Sequence, residues 1–367
     1  MTMKFSLFAH IERYDDSVSH KQLLDELTEF TLMAEAGGME TIWIGEHHAM
    51  EYTVAPNPFI NLAYLAAKTP KIRLGTGNVI APFWHPIRLA GEAALCDLTS
   101  NGRLDLGIAR GAYMFEYERL MPGLDAMEAG LRMRELVPAV QQLLIGNYTH
   151  DGEYWKFPET TAVPTAIQKP IPIWIAARDP HTHDCAVATG GNVQVTPLAN
   201  GDEEVANLME KFNTACAAHP EVPRPKLMLL MHTYVAKTEA ELMKGSAALQ
   251  KFFLYFGKWF KAEAPIKDGF IEPITQAEID AQPNLAPEVM RKNCLVGTPA
   301  EVIARLKSYE EMGYTQFSIW LDSAMSYEEK RDSLKLFIDE VMPAYSSEIS
   351  GSLTRSFHGL GKFPAVH

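Results

Sequence analysis

The chain has 367 residues, 47% hydrophobic and 22% charged, with 33 basic against 46 acidic side chains and a formal charge of −13. That length carries one large barrel or two ordinary domains, the composition is globular, and the acidic balance disfavours a nucleic-acid partner. Cys96, Cys185, Cys216 and Cys294 show no close pairing, no apolar run reaches a membrane span, and Met1-Thr2-Met3-Lys4-Phe5 lacks signal-peptide anatomy. A cytoplasmic enzyme without disulfides and without a membrane segment is therefore expected.

Apolar, β-branched runs fall at 4–10, 41–46, 72–80, 104–109, 172–177, 192–196, 226–236 and 316–322. Helical patterns alternate with them at 20–36, 57–68, 86–99, 126–145, 181–190, 202–218, 238–260 and 325–342. Runs such as Thr41-Ile42-Trp43-Ile44 carry no alternating charge, as expected for parallel strands covered on both faces. Asn57-Pro58 and His85-Pro86 place proline in the first turn of two helices, where its missing N–H costs nothing. The count predicts a (β/α)8 TIM barrel over residues 1–345. An open doubly wound sheet would carry a glycine-rich turn after the first strand, and His10-Ile11-Glu12-Arg13 is not one. A proline-rich stretch, 262–298, reads as an insertion between strands seven and eight, and 346–367 as a C-terminal tail. Leu62, Ala63, Leu65, Ala66, Leu89, Ala90, Ala93 and Ala94 offer small apolar surface for a homodimer packed through two helices.

In a barrel the chemistry sits at the C-terminal strand ends. Here these are His10; Glu46-His47-His48; Gly75-Thr76-Gly77-Asn78; Ala109-Arg110-Gly111-Ala112-Tyr113; Ala177-Arg178-Asp179-Pro180-His181-Thr182; Thr196; and Trp320. The histidines invite a metal reading, but His47 and His48 must point in opposite directions along a strand and acidic partners are few. Arg110 before a glycine suits a bidentate anion contact, with a buried ion pair as the competing reading. Arg178, His181 and Thr182 open a helix, whose first turn is a second anion-binding element. Together they suggest one phosphate and a mononucleotide-like cofactor. Phe83, Trp84, Tyr113, Phe115, Tyr117 and Trp320 form an aromatic rim that suits core packing or a flat ring. No nucleophile arrangement stands out, which favours a cofactor with its own reactivity.

The ordered set Thr41–His48, Pro56-Asn57-Pro58, Leu74–Asn78, His85–Arg88, Gly102–Gly111 and Val296-Gly297-Thr298-Pro299 resembles the bacterial luciferase-like family of flavin-dependent monooxygenases. The likeness runs over roughly residues 3 to 345. It implies reduced FMN as cofactor, made by a separate flavin reductase, and dioxygen as co-substrate. It also implies a homodimer, and the apolar, aromatic rim allows a small apolar substrate such as an aldehyde, ketone or aromatic. His47, beside Glu46, matches the active-site histidine. Gly77 and Asn78 match a cis-peptide pair under the flavin ring. Arg110 matches the phosphate-binding arginine, with Tyr113 at the rim of the same loop. Ala177, Arg178, His181 and Thr182 match the loop that completes the phosphate site, and Thr196 a position beside the ring. Ala109 replaces a cysteine of the luciferase alkanal-oxidising subunit, so light emission is not expected. A deazaflavin-dependent oxidoreductase and a non-catalytic flavin-binding protein are the alternatives.

Overall fold

The computed structural model describes residues 3–262 and 264–345. The barrel strands are β1 Lys4–Ala9, β2 Thr41–Ile44, β3 Arg73–Thr76, β4 Leu104–Ala109, β5 Ile173–Ala176, β6 Asn192–Val195, β7 Leu227–Val235 and β8 Gln316–Trp320. Each pairs in parallel with the next. β8 closes the ring on β1, with Lys4 opposite Gln316 and Phe8 opposite Trp320.

Eight helices form the outer layer: α1 His20–Ala36, α2 Pro58–Ala66, α3 Pro86–Thr99, α4 Ala126–Ile145, α5 Pro180–Ala188, α6 Gly201–Ala218, α7 Pro299–Met312 and α8 Tyr327–Leu336. Side chains start most of them by satisfying free N–H groups of the first turn. Ser19, Asn57, His85 and Asp179 each accept from a backbone N–H two or three residues on. Thr298 and Ser326 do so in reciprocal capping boxes with Glu301 and Glu329. Among the described residues no helix is long and apolar enough to cross a membrane.

The structure departs from the sequence expectation in several places. The helical pattern at 238–260 forms helix Glu239–Lys261, but this helix does not join the outer layer. Its Leu249, Phe252, Phe253 and Trp259 pack in the cluster that holds Phe8, Trp43 and Trp320 at the barrel mouth. The position outside the barrel belongs to α7, whose Val302, Leu306 and Tyr309 pack with the outer helices. The excursion after strand seven therefore begins at that strand's end rather than at 262, and Glu239–Lys261 caps the mouth. Periodicity identifies a helix with one apolar face, but not which surface that face meets.

A short helix, Met114–Leu120, and a hairpin, Tyr148–Asp151 with Lys156–Thr160, also escaped the pattern reading. Leu62, Leu65, Leu89, Ala90, Ala93 and Ala94 are fully buried inside the fold instead of forming a dimer face. The same two helices expose Ile60 at 69% and Leu95 at 53%, together with Tyr64 and Leu98. The expected tail, 346–367, lies outside the described residues.

Candidate active site

Strand alternation decides which residues meet at the mouth. Phe8 and His10 of the β1 end, Trp43 of β2, His232 of β7 and Trp320 of β8 share the inward face. Past β2 the alternation continues. The His47 ring turns inward, 5.6 Å between centroids from His10 and 5.1 Å from Tyr113. His48 turns outward against Phe83.

Each histidine meets a carboxylate. His47 Nδ1 lies 3.1 Å from Glu116 Oε2, and the other Glu116 oxygen accepts the His48 backbone N–H at 2.7 Å. Glu116 is almost fully buried, on the short helix that the sequence reading missed. Its one signal was an acid between two aromatics, Phe115 and Tyr117, both buried in the fold. Glu46 faces the other way. One oxygen accepts the Ile80 backbone N–H and the Trp84 indole N–H, both at 2.8 Å, and the second pairs with His48 Nε2 at 2.7 Å. Burial disfavours charge on His48, but the Glu46 carboxylate outweighs it and carries its pKa above the ordinary value.

Behind His10 lies a buried polar network. Glu12 meets His10 Nδ1 at 3.2 Å and accepts the Tyr14 hydroxyl at 2.6 Å and the Ala324 N–H at 2.8 Å. Burial works against its charge, yet these hydrogen bonds hold Glu12 below the usual carboxylate range. The neighbouring Asp322 is pushed up by burial despite Lys330 at 3.6 Å.

Arg110 has no carboxylate within ion-pair distance among the described residues, which removes the ion-pair reading. One of its N–H groups donates to Ala126 O at 3.0 Å, beside the first turn of α4. Tyr117 fixes the loop by donating to Arg110 O at 2.7 Å, and Gly111 follows at φ +93, a conformation that favours glycine. Across from it stands the first turn of α5. There Asp179 accepts both the Thr182 N–H and its hydroxyl, at 2.9 and 2.7 Å. Burial opposes the Asp179 charge, but those bonds, with Arg110 nearby, hold it below its ordinary pKa. Thr182 thus spends its donors locally. His181 is exposed, and Arg178 is half-exposed with only a 3.3 Å contact to Glu204. The groups open to an anion in this cluster are the Arg110 and Arg178 guanidiniums and the His181 ring, with the Arg134 guanidinium close to Arg110 over Gly130.

Between the anion end and the histidines the barrel wall is small. Gly45, Gly75, Gly77, Gly107, Ala109 and Ala176 occupy the inward positions of β2 to β5 and their ends. A methyl on Gly107 would sit 2.0 Å from Thr76 O and 2.6 Å from Asn78 Oδ1, so only glycine lets the 76–78 segment cross there. The Gly77–Asn78 peptide is cis. Ala177 is buried and donates its N–H to Gln194 O at 2.9 Å, and Thr196 Oγ1 accepts the Leu198 N–H at 3.2 Å. On this side Trp43 Nε1, Asn78 Oδ1 and Gln194 Nε2 are buried without partners among the described residues. Unpaired donors and an acceptor beside a glycine wall fit a flat ring whose edge carries both carbonyls and N–H groups. An isoalloxazine is such a ring, and the Arg110 cluster could take the phosphate of its chain.

A (β/α)8 barrel whose mouth holds an arginine open to an anion, a glycine wall and an inward histidine–glutamate pair suits a cofactor-dependent oxidoreductase of the barrel class. The family model for luciferase-like monooxygenases matches residues 3–316, and the chain belongs to that family. It is 56% identical over 345 residues to the oxygenase component of the flavin-dependent trigonelline monooxygenase of Acinetobacter baylyi, covering 94% of this chain and 96% of that one. A monooxygenase from Streptomyces bottropensis superposes with a TM-score of 0.75 at 27% identity, covering 94% of this chain and all of the other. The oxygenating constituent of 3,6-diketocamphane monooxygenase from Pseudomonas putida, in complex with FMN, shares the fold at a TM-score of 0.72 and 19% identity, over 94% and 99% of the two chains.

Proposed function

We propose that this chain is the oxygenase component of a two-component flavin-dependent monooxygenase that acts on trigonelline or a closely similar pyridinium carboxylate. A separate reductase supplies reduced FMN. A flavin rather than a deazaflavin follows from the relative at 56% identity, which is flavin-dependent. The observation that carries the substrate class is the charge of the mouth. Its walls are aromatic faces, and the buried carboxylates behind them are Glu12 and Glu116, while burial pushes up the pKa of Asp322 beside Lys330. A neutral aldehyde or ketone gains nothing from that excess of carboxylate. A cationic heteroaromatic ring gains from the carboxylates and from the aromatic faces.

Arg110, with Arg178 and His181, would hold the FMN phosphate, and Gly77, Asn78, Ala177 and Thr196 would line the ring. Reduced FMN, when bound, supplies the electrons that activate dioxygen. Glu116 accepts a hydrogen bond from the His47 Nδ1–H, which leaves Nε2 as the ring nitrogen able to accept a proton. Glu46 is a positioning residue, since its oxygens are committed to Ile80, Trp84 and His48. The cap helix, with Phe252, Phe256 and Trp259, excludes water from the reacting groups.

A homodimer through α2 and α3 is part of this reading, supported by the exposed Ile60, Tyr64, Leu95 and Leu98. The test combines the protein with a flavin reductase, NADH, FMN, trigonelline and 18O-labelled dioxygen. Trigonelline-dependent incorporation of one labelled oxygen atom is expected. FMN binding without incorporation would overturn the reading in favour of a non-catalytic flavin binder.

A further inference from the structure

Beside the cap helix at the mouth three polar groups are buried and unpartnered among the described residues: the Tyr52 hydroxyl, His232 Nε2 and the Trp320 indole Nε1. They form one cluster. His232 stacks on Trp320 with 4.1 Å between centroids. The Phe252 ring of the cap helix lies 4.5 Å from His232, 5.4 Å from Trp320 and 5.7 Å from Tyr52. Unpaired buried donors are destabilising and native folds keep few of them, so three around one phenyl ring mark a place that a ligand completes.

All three present a proton. The indole nitrogen is a donor only. Burial raises the Tyr52 hydroxyl well above its ordinary pKa, so it keeps its proton. Burial, with a smaller effect of His10, holds His232 well below its ordinary value and so neutral. Ser323 Oγ lies 2.7 Å from His232 Nδ1, the one acceptor for its hydroxyl among the described residues. That assigns the ring proton to Nε2.

We infer that Tyr52, His232 and Trp320 form a neutral three-donor seat for the carboxylate of the substrate ring and so determine specificity and orientation. A ketone oxygen has two lone pairs, whereas a carboxylate has about four acceptor sites and can satisfy all three donors. The positive ring of the same substrate offsets Glu12 and Asp322 nearby. The inference rests on the reaction proposed above only for the identity of the ring.

The test is calorimetric titration of the flavin-free protein with trigonelline and with N-methylpyridinium, which lacks the carboxylate. Wild type is expected to bind trigonelline at least about tenfold more tightly. Tyr52→Phe and Trp320→Phe should each lose about tenfold for trigonelline and little for N-methylpyridinium. Tyr52→Phe should also keep or raise Tm, because it removes an unpaired buried hydroxyl, whereas a structural hydroxyl would lower it. Equal losses for both probes, no loss, a lowered Tm for Tyr52→Phe, or a wild type that binds neither probe would overturn the seat. Failure of 18O incorporation with this discrimination intact would overturn the proposed reaction and leave the seat standing.

Discussion

Replacing Glu116 by Gln tests how the mouth prepares its histidine. The carboxylate accepts from the His48 N–H at 2.7 Å and faces His47 Nδ1 at 3.1 Å, so it holds two acceptor positions in a buried site. A glutamine has the same shape but one carbonyl. If that oxygen stays on the His48 N–H, the amide NH2 points at His47 Nδ1 and forces it to accept. The ring proton then moves to Nε2, and the proton acceptor facing the mouth becomes a donor. Stability should fall modestly. Charge-assisted bonds worth about 1.5–3 kcal/mol each give way to neutral ones worth about 0.5–1.5, a net loss of about 2–3 kcal/mol over the two bonds. Turnover should fall further, by roughly 100-fold or more, the usual share of one acid–base group. The assay is product formation with trigonelline beside hydrogen peroxide release, with urea unfolding on the same samples. His47→Ala should lose turnover to a similar degree, with FMN binding largely retained. Wild-type turnover and coupling in Glu116→Gln, on a substrate the wild type oxygenates, would refute the role assigned to the pair.

Arg110→Ala should weaken FMN binding by about 2–4 kcal/mol, with riboflavin, which lacks the phosphate, affected far less; equal losses would assign Arg110 to the ring or the fold. Ile60→Glu combined with Leu95→Glu should leave a single species near the 40.9 kDa chain mass in light scattering, where the proposed wild-type dimer is expected to read twice that. His232 is held neutral by burial in the folded protein, so the unfolded chain takes up its proton first as pH falls below about 6.5. Its contribution is therefore fully present above that pH and lost as pH falls from there toward the depressed folded value. His232→Gln should flatten the acid side of the urea-midpoint profile between pH 7.5 and 5.5, and a variant as acid-sensitive as wild type would contradict this.

Local pattern was sufficient for the barrel. Runs buried on both faces, proline in first turns and amphipathic helices are properties of short segments, and they located the eight strands and seven of the outer helices. Strand ends are equally local, so the sequence alone assigns His47, Arg110 and the Gly77–Asn78 segment to the mouth. Alternation also assigned His47 and His48 to opposite faces. What only the tertiary structure decided were pairings across the chain. Glu116 lies 69 residues from His47 and on a helix too short for periodicity to reveal. His232 meets Ser323 across 91 residues. The helix Glu239–Lys261 has the apolar face of an ordinary outer helix, and only packing against Phe8, Trp43 and Trp320 makes it a cap. The alanines of α3 are equally ambiguous: small residues allow close approach to a second subunit or to the barrel, and here they are buried against the barrel. Sequence periodicity specifies that a face must be covered; which surface covers it depends on contacts between residues far apart in the chain, and only the folded chain contains those.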